Sequence, residues 1–442
     1  MSYSNQLENV SILGAAGKMG SGITLLMALE MADQALKPEN KDQSFVLNAI
    51  DVSEDNLKGL LSYIENQAVK TATKKVEELR IIFGESLSEA EIAQRYAQHV
   101  LGLLKPFTSH EAAYHSTVIF EAIIENEQIK TEIFRKINLA NSRKPWIFSN
   151  TSSIPIGKLN KTAALEGRIL GFHFYNPPAV QKLVELITIS ENPKEMVEFA
   201  VTLAKRLRKV VVHSNDIAGF IGNGHFMRDA LHGISEAEKL TETMPLHEAV
   251  NIVNKTSQDL LVRPMGIFQL IDYVGIDVVR FIMNVMSTHL DETTLRSDLL
   301  DTLFHAGIKG GQFSDGSQKE GFFRYEKGKP VAVYSLETAD YIPIIDLSDH
   351  TDNFLGELPT ALQPWKVINF SPEKQELLKT YFDQLKQLKS NGAILALNYL
   401  RKSMEIGKKL VSDGVANSHE DVNTVLMTGF FHAYGPVNQY AE

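Results

Sequence analysis

The 442-residue chain contains no cysteine. Disulfides, thiolate zinc sites, iron–sulfur ligation and a cysteine nucleophile are thereby excluded, and a reducing cytoplasm suits the composition. No run of about 20 apolar residues is free of charge, and the first residues, Met-Ser-Tyr-Ser-Asn-Gln-Leu-Glu, lack a basic stretch followed by an apolar one. Neither a membrane span nor an export signal is expected. Positive charge is in deficit, with 44 Lys and Arg against 54 Asp and Glu and a formal net charge of −10. That balance argues against wrapping nucleic acid or lying on an anionic membrane, so an anionic ligand must be held locally. With 44% hydrophobic residues, 28 Gly and 15 Pro, the composition is ordinary for a globular protein rather than for disorder or low complexity. At about 150 residues per domain, the length points to two or three domains.

What is present is organised. Val10-Ser-Ile-Leu13 reads as a buried strand running into Gly14-Ala-Ala-Gly17-Lys-Met-Gly20, followed by a helix with Met19, Ile23, Leu26 and Met27 at helical spacing. Phe45-Val-Leu-Asn-Ala-Ile50 supplies a second strand ending at Asp51, completing a β-α-β unit. Residues 54–105 read as a charged helical pair standing off the sheet. Strands resume at Val118–Phe120, Trp146–Phe148, Ile169–Tyr175 and Val210–Val212, alternating with helical stretches, the pattern of a doubly wound α/β sheet. Beyond about residue 213 long amphipathic helices dominate. The expected organisation is an α/β Rossmann-like domain over 1–213 with a helical hairpin inserted at 54–105. An all-α domain follows over 214–325, then a connector over 326–370, whose short alternating runs such as Val331-Ala-Val-Tyr334 read as connector or small β element, and a second helical copy over 371–442. The copy is suggested by an internal echo: His247-Glu-Ala-Val-Asn-Ile-Val253 recurs as His419-Glu-Asp-Val-Asn-Thr-Val425, and Met265-Gly-Ile-Phe268 is faintly mirrored by Tyr434-Gly-Pro-Val437.

Several residues carry the chemistry. Gly14, Gly17 and Gly20 allow a tight turn, close approach to a pyrophosphate and close helix packing, while the helix N-terminus presents N–H groups to an anion. Lys18 and Met19 belong to the same turn. Asp51 is placed to accept both hydroxyls of an adenosine ribose, and its charge repels a 2′-phosphate, favouring NAD over NADP. His173, in Phe172-His-Phe-Tyr-Asn-Pro177, sits at the carboxyl end of a strand; Glu185, in Leu183-Val-Glu-Leu-Ile187, is a carboxylate in an apolar run that needs a partner if buried. A His–Glu pair fixes the imidazole tautomer and makes it a base able to take a hydroxyl proton. Ser149-Asn-Thr-Ser-Ser153 and Glu121-Ala-Ile-Ile-Glu-Asn126, with Lys130 a turn further, gather polar groups at the same sheet edge. His232 with Glu236, and His247-Glu248, lack H-E-x-x-H spacing and read as solvated helix faces, and no metal is expected.

Taken together in order, these motifs resemble the 3-hydroxyacyl-CoA dehydrogenase family over roughly residues 8–325, with Gly219-Phe-Ile-Gly-Asn223 and Arg263-Pro-Met-Gly266 adding to the match. The resemblance implies NAD-dependent oxidation of an L-3-hydroxyacyl-CoA to a 3-ketoacyl-CoA, as in fatty-acid β-oxidation. It makes His173 the base and Glu185 its orienting partner. Ser152 and Asn223 match positions holding the substrate oxygen, Glu125, Lys130, Ser152 and Asn176 match positions near the nicotinamide half of NAD, and Lys74 on the hairpin matches a partner for the CoA phosphates. The chain departs from the family at its longer glycine turn, at Ala218 and Ile267 in place of prolines, and at Gly224 in place of an arginine. Longer relatives carry a second helical copy on the same polypeptide, so pairing within the chain, giving a monomer, and pairing between chains, giving a homodimer, both stay open. No hydratase-like segment precedes residue 10, so another chain is expected to supply any such activity. Two rival functions are a dehydrogenase of a hydroxy acid or sugar acid lacking CoA, and a non-catalytic NAD-binding structural or regulatory protein.

Overall fold

A computed structural model describes residues 2–313 and 316–441. The chain divides into two units, Met1–Asp216 and Ile217–Glu442. In the first, short β-branched and aromatic runs become strands, and in all but the two edge strands both faces are covered, so burial is nearly continuous rather than alternating. After a short helix α1 (Tyr3–Gln6) come β1 (Asn9–Leu13), α2 (Gly20–Ala35) and β2 (Val46–Ile50). The region expected as a helical pair holds three helices, α3 (Glu54–Thr73), α4 (Val76–Phe83) and α5 (Glu89–Leu103), and its last residues already belong to a strand, β3 (Leu104–Phe107). The break between α4 and α5 has a local cause: Gly84 at φ +127 ends α4, and a reciprocal capping box between Ser88 and Glu91 starts α5. The unit continues through β4 (Val118–Glu121), α6 (Glu127–Ala140), β5 (Trp146–Ser149), α7 (Ile156–Ala163), β6 (Ile169–Phe174), β7 (Leu183–Ile187), α8 (Lys194–Arg206) and β8 (Val210–Ser214).

These strands form one eight-stranded sheet in the order β3-β2-β1-β4-β5-β6-β7-β8. All neighbours are parallel except β6 and β7, which run antiparallel with His173 opposite Glu185. The order reverses between β1 and β4, and in open α/β sheets the ligand crevice lies outside the carboxyl ends of the strands at that point. Beneath it Phe120, Phe148 and Phe172 pack with ring centroids 5.2–5.6 Å apart and almost no exposure. Such pairs add about 0.5–1.5 kcal/mol each beyond their area burial, so the strands that end at the crevice share a stiff aromatic floor.

Among its described residues the second unit is helical apart from one small sheet. Its helices are α9 (Phe220–Leu240), α10 (Leu246–Lys255), a π-helical turn (Thr256–Leu260), α11 (Ile267–Val274), α12 (Ile276–Leu290) and α13 (Asp298–His305), then α14 (Ile344–Leu355), α15 (Trp365–Asn369), α16 (Lys374–Leu385), α17 (Asn391–Ser412) and α18 (His419–Gly429). The segment read as a connector or small β element is ordered and carries a small sheet within the otherwise helical unit. It contributes most of the antiparallel sheet of β9 (Phe323–Glu326), β10 (Lys329–Ser335) and β11 (Asp340–Pro343). Lys327 and Gly328, both at positive φ, turn the β9–β10 hairpin in the manner of a type I′ turn. Val333 and Ile368 are fully buried in the unit's core, so the segment is part of that core.

His232 and Glu236 are also not solvated: their side chains are only 12% and 14% exposed, and Glu248 pairs with His350. The two echoed segments begin α10 and α18. In each half a glycine sits against an asparagine at the same sequence spacing: a Cβ on Gly266 would meet Asn254 Oδ1 at 2.3 Å, and one on Gly435 would meet Asn423 Cγ at 2.1 Å. No helix among the described residues is long and apolar enough to cross a membrane.

Candidate active site

The glycine turn is held by its close approaches. Gly14 has φ +77, and a Cβ there would lie 2.5 Å from the Ala122 carbonyl oxygen; a Cβ on Gly20 would lie 1.8 Å from the Gly14 carbonyl oxygen. Only glycine lets β1 pass the end of β4 and lets α2 settle onto the turn. α2 starts without a side-chain cap, and its Ser21 N–H donates to the Gly17 carbonyl at 2.9 Å, tying the turn to the helix. Gly17 is roomier, with 3.3 Å to the nearest atom, and Lys18 beside it is exposed.

Asp51 closes the turn from the end of β2. Its Oδ2 accepts the Ala16 N–H at 3.0 Å and its Oδ1 accepts the Ser53 N–H at 3.2 Å. It stands on a cavity of about 480 Å³ lined by Gly14, Gly17, Val52, Ile123, Ile124 and Ile133, among others. Val52 is 94% exposed and Ile124 68% exposed, so two aliphatic side chains border this slot uncovered. An apolar slot with one carboxylate at its rim fits a flat base joined to a ribose. The sequence reading missed these aliphatic residues, although an apolar pair after Glu121, before any helix has started, was a usable signal.

Next along the sheet edge lies a buried charge cluster. Glu121, at the end of β4, is fully buried and accepts from Lys130 Nζ at 2.5 Å, Ser149 Oγ at 2.6 Å and the Ile123 N–H at 2.8 Å. Glu125 accepts from Lys130 at 3.1 Å, from Thr151 Oγ1 at 2.6 Å and from the Ser152 and Ser153 N–H groups at 2.9 and 3.2 Å. Burial works against both charges, but the Lys130 ammonium and these donors hold the Glu125 carboxyl below its usual range. The two carboxylates likewise outweigh desolvation and hold Lys130 above its ordinary value. The 149–153 turn, Ser152 included, is therefore pinned by an ionised carboxylate. Lys130 is 1% exposed, so any effect it has on a cofactor passes through Glu125.

His173 and Glu185 come together across the β6–β7 ladder, with Nδ1 and Oε1 3.3 Å apart; Glu185 is fully buried and His173 8% exposed. The Tyr175 hydroxyl donates to the same Oε1 at 2.6 Å, a neighbour the sequence reading passed over because a tyrosine among aromatics looks like core. The end of β6 is fixed to the preceding strand's turn by the Phe174 N–H, which donates to Asn150 Oδ1 at 2.8 Å. Asn176, half buried, precedes a cis peptide bond to Pro177. Lys209 Nζ donates to the Pro178 and Gln181 carbonyls at 2.5 and 2.6 Å, bracing the turn that carries the chain from His173 to Glu185.

Lys74 is exposed at the C-terminal end of α3. Asn223 belongs to the second unit, half buried in the first turns of α9. Its neighbour Gly224 marks one departure from the family pattern: a Cβ there would lie 3.0 Å from the terminal methyl Cδ2 of Leu410 in α17, so a larger side chain would have to displace that methyl. Among the described residues no group of three or more His, Asp or Glu is placed to hold a metal ion.

A parallel sheet with a glycine turn, a ribose-type aspartate and a His–Glu pair at one edge defines a nicotinamide-dependent dehydrogenase. Two family descriptions match: "3-hydroxyacyl-CoA dehydrogenase, NAD binding domain" over residues 9–217 and "3-hydroxyacyl-CoA dehydrogenase, C-terminal domain" over residues 247–323. The mitochondrial hydroxyacyl-coenzyme A dehydrogenase of Homo sapiens is 30% identical over 280 residues, covering 63% of this chain and 79% of that protein. A probable 3-hydroxybutyryl-CoA dehydrogenase of Bacillus subtilis is 28% identical over 323 residues, covering 73% of this chain and 99% of the relative. The fold is shared with the crystal structure of 3-hydroxybutyryl-CoA dehydrogenase from Escherichia coli, at a TM-score of 0.62 and 20% identity over 98% of this chain and 90% of that one. The chain belongs to the 3-hydroxyacyl-CoA dehydrogenase family and is an NAD-dependent enzyme of that class.

Proposed function

We propose that the chain oxidises L-3-hydroxyacyl-CoA to 3-ketoacyl-CoA in fatty-acid β-oxidation, with His173 as general base and Glu185 as its orienting partner. The carrying observation is the cross-strand pair itself, His173 Nδ1 facing the fully buried Glu185 carboxylate at 3.3 Å. With Nδ1 committed to the carboxylate, Nε2 is the nitrogen that accepts the hydroxyl proton, and the imidazolium so formed is stabilised by Glu185. Gly14, Gly17, Lys18, Met19, Gly20 and Asp51 would hold the adenosine and pyrophosphate end of NAD, and Glu125, Ser152 and Asn176 its nicotinamide end, with Lys130 acting through Glu125. When bound, NAD supplies the acceptor for the hydride lost from C3. Ser152 and Asn223 hold the substrate oxygen, and Lys74 meets the CoA phosphates.

The second helical copy takes the place of a partner subunit. Support comes from the contacts that α9 makes with α17: Tyr399 donates to the Asp229 carbonyl at 3.0 Å, and Gly224 leaves just enough space for Leu410. The expected state is a monomer, which light scattering reads directly.

The test is NADH formation from L-3-hydroxyacyl-CoAs of increasing chain length, with NAD and with NADP, and with free CoA as competitor. The proposal expects turnover with NAD, a large preference over NADP because Asp51 repels the 2′-phosphate, and competition by CoA. A chain that binds NAD and is inert toward every thioester would contradict it.

A further inference from the structure

The Glu185 carboxylate has two donors on a single oxygen, and they are unequal. His173 Nδ1 stands 3.3 Å from Oε1, whereas the Tyr175 hydroxyl stands 2.6 Å from the same atom. The shorter distance lies in the range of charge-assisted O–H···O⁻ bonds; the longer one is beyond that of a strong N–H···O bond. Tyr175 is two residues past His173, so the pleat returns it to the same face, and the two rings lie with centroids 4.9 Å apart at 45°. Glu185 has no exposure at all, and a desolvated carboxylate depends on its donors for both charge and orientation.

We propose that Tyr175 is a positioning residue of the dehydrogenase: its hydroxyl holds the Glu185 carboxylate in place and takes up part of its charge, and so sets how strongly Glu185 assists His173. This rests on His173 being the base. The phenol suits the task because it does not change state during turnover. Burial, and then the Glu185 charge, push its pKa well above the ordinary value, so it remains a donor while the imidazole gains and loses a proton. Glu185 from β7 and His173 from β6 face the phenol; Lys209, just before β8, is engaged with the Pro178 and Gln181 carbonyls. Sharing one oxygen makes the two donors competitors: whatever charge the phenol neutralises is withheld from the imidazole.

The experiment is Tyr175→Phe, which removes the hydroxyl and keeps the ring, compared with wild type in the pH dependence of kcat/KM for 3-hydroxybutyryl-CoA oxidation. The acid limb is expected to move to higher pH by roughly half a unit to one unit, as more of the carboxylate charge falls on the imidazole. A fall in kcat of roughly threefold to thirtyfold is expected from looser orientation, with KM for NAD within about twofold. In a Glu185→Gln background the same change should have no further effect, because Tyr175 acts only through that carboxylate. A tyrosine fluorinated on the ring at position 175, a stronger donor of native shape, should move the limb to lower pH and covers the case in which Tyr175→Phe folds poorly. A pH profile unmoved in either variant, or an undiminished effect of Tyr175→Phe without Glu185, overturns the proposal. His173→Gln measured alongside separates the two failures: activity retained there removes the base itself, whereas activity lost there with an unmoved Tyr175→Phe profile removes only the role of Tyr175.

Discussion

Each unit buries a cation among carboxylates and hydroxyls, and the two clusters are built alike but end differently. In the first, Lys130 lies between Glu121 and Glu125, and Glu125 keeps a side-chain exposure of 23% while gripping the 149–153 turn. In the second, Arg263 donates to Asp229 Oδ2 at 2.7 Å and to Ser403 Oγ at 3.0 Å and lies over the Tyr399 ring, with both charged side chains at most 7% exposed. Burial opposes each charge in both, and the ion pair outweighs it, holding Asp229 below and Arg263 above their ordinary values. What separates them is where the charge leads. The first chain of bonds runs from Glu121 at the end of β4 to the Ile123 N–H, beside the cavity that Asp51 lines, and through Glu125 to the 149–153 turn. The second ties α9 to α17 through Arg263, which also borders a separate cavity with Gln258, Pro264 and Trp365. A buried ion pair is thus a functional part only where one member still reaches a surface that a ligand uses; elsewhere the same chemistry joins two halves of a helical core.

That contrast can be broken by substitution. Lys130→Met leaves two carboxylates facing each other in the first unit, so a stability loss of about 3–5 kcal/mol in urea unfolding is expected, together with loss of NAD binding by fluorescence titration. Arg263→Met is expected to lose a similar 3–5 kcal/mol, but the folded fraction should bind NAD with a Kd within about twofold of wild type, and the paired change Arg263→Met with Asp229→Leu should recover most of the stability. Equal damage to NAD binding by both single changes would erase the distinction.

Smaller effects sharpen it. Asp51→Ala removes the acceptor for the Ala16 and Ser53 N–H groups and the proposed ribose anchor; a loss of about 1.5–3 kcal/mol in NAD binding, roughly tenfold to a hundredfold in Kd, is expected with a narrower gap between NAD and NADP. The smallest effect belongs to Lys209, whose ammonium burial pushes down to about 8. Between that value and the ordinary lysine value the folded chain has shed a proton that the unfolded chain keeps, so this group's contribution to stability rises as pH climbs from about 8 to about 10. The unfolding free energy of wild type minus that of Lys209→Met, measured across that range, should slope upward; a flat difference would show that Lys209 stays charged.

Much of the first unit was legible because its signals are short-range: a glycine turn after an apolar strand, an acid after the next strand, a carboxylate inside the run Leu183–Ile187. What escaped depended on tertiary placement. Nothing local separates Tyr175 from the phenylalanines around it, or marks Lys130 as buried, since its helix reads as amphipathic and its partners come from β4 and the loop after it. The second unit was harder for the same reason. Gly224 reads as the loss of an arginine until Leu410, far along the chain, is seen to pack its terminal methyl against that position. His232 and Glu236 read as a solvated face until α17 covers them, with Tyr399 placing its ring 4.6 Å from the His232 ring. Residues 326–370 read as a connector because their apolar positions are spread over short strands and a short helix, each too brief to signal burial alone.

The proposed proton transfer at His173 is tested most directly by a single-turnover comparison of wild type and His173→Gln, each saturated with NAD and mixed with L-3-hydroxybutyryl-CoA while NADH absorbance is followed. The account predicts a rate lower by about 10²–10⁴-fold in the variant, with NAD affinity unchanged. A variant that forms NADH within a few-fold of the wild-type rate would contradict it.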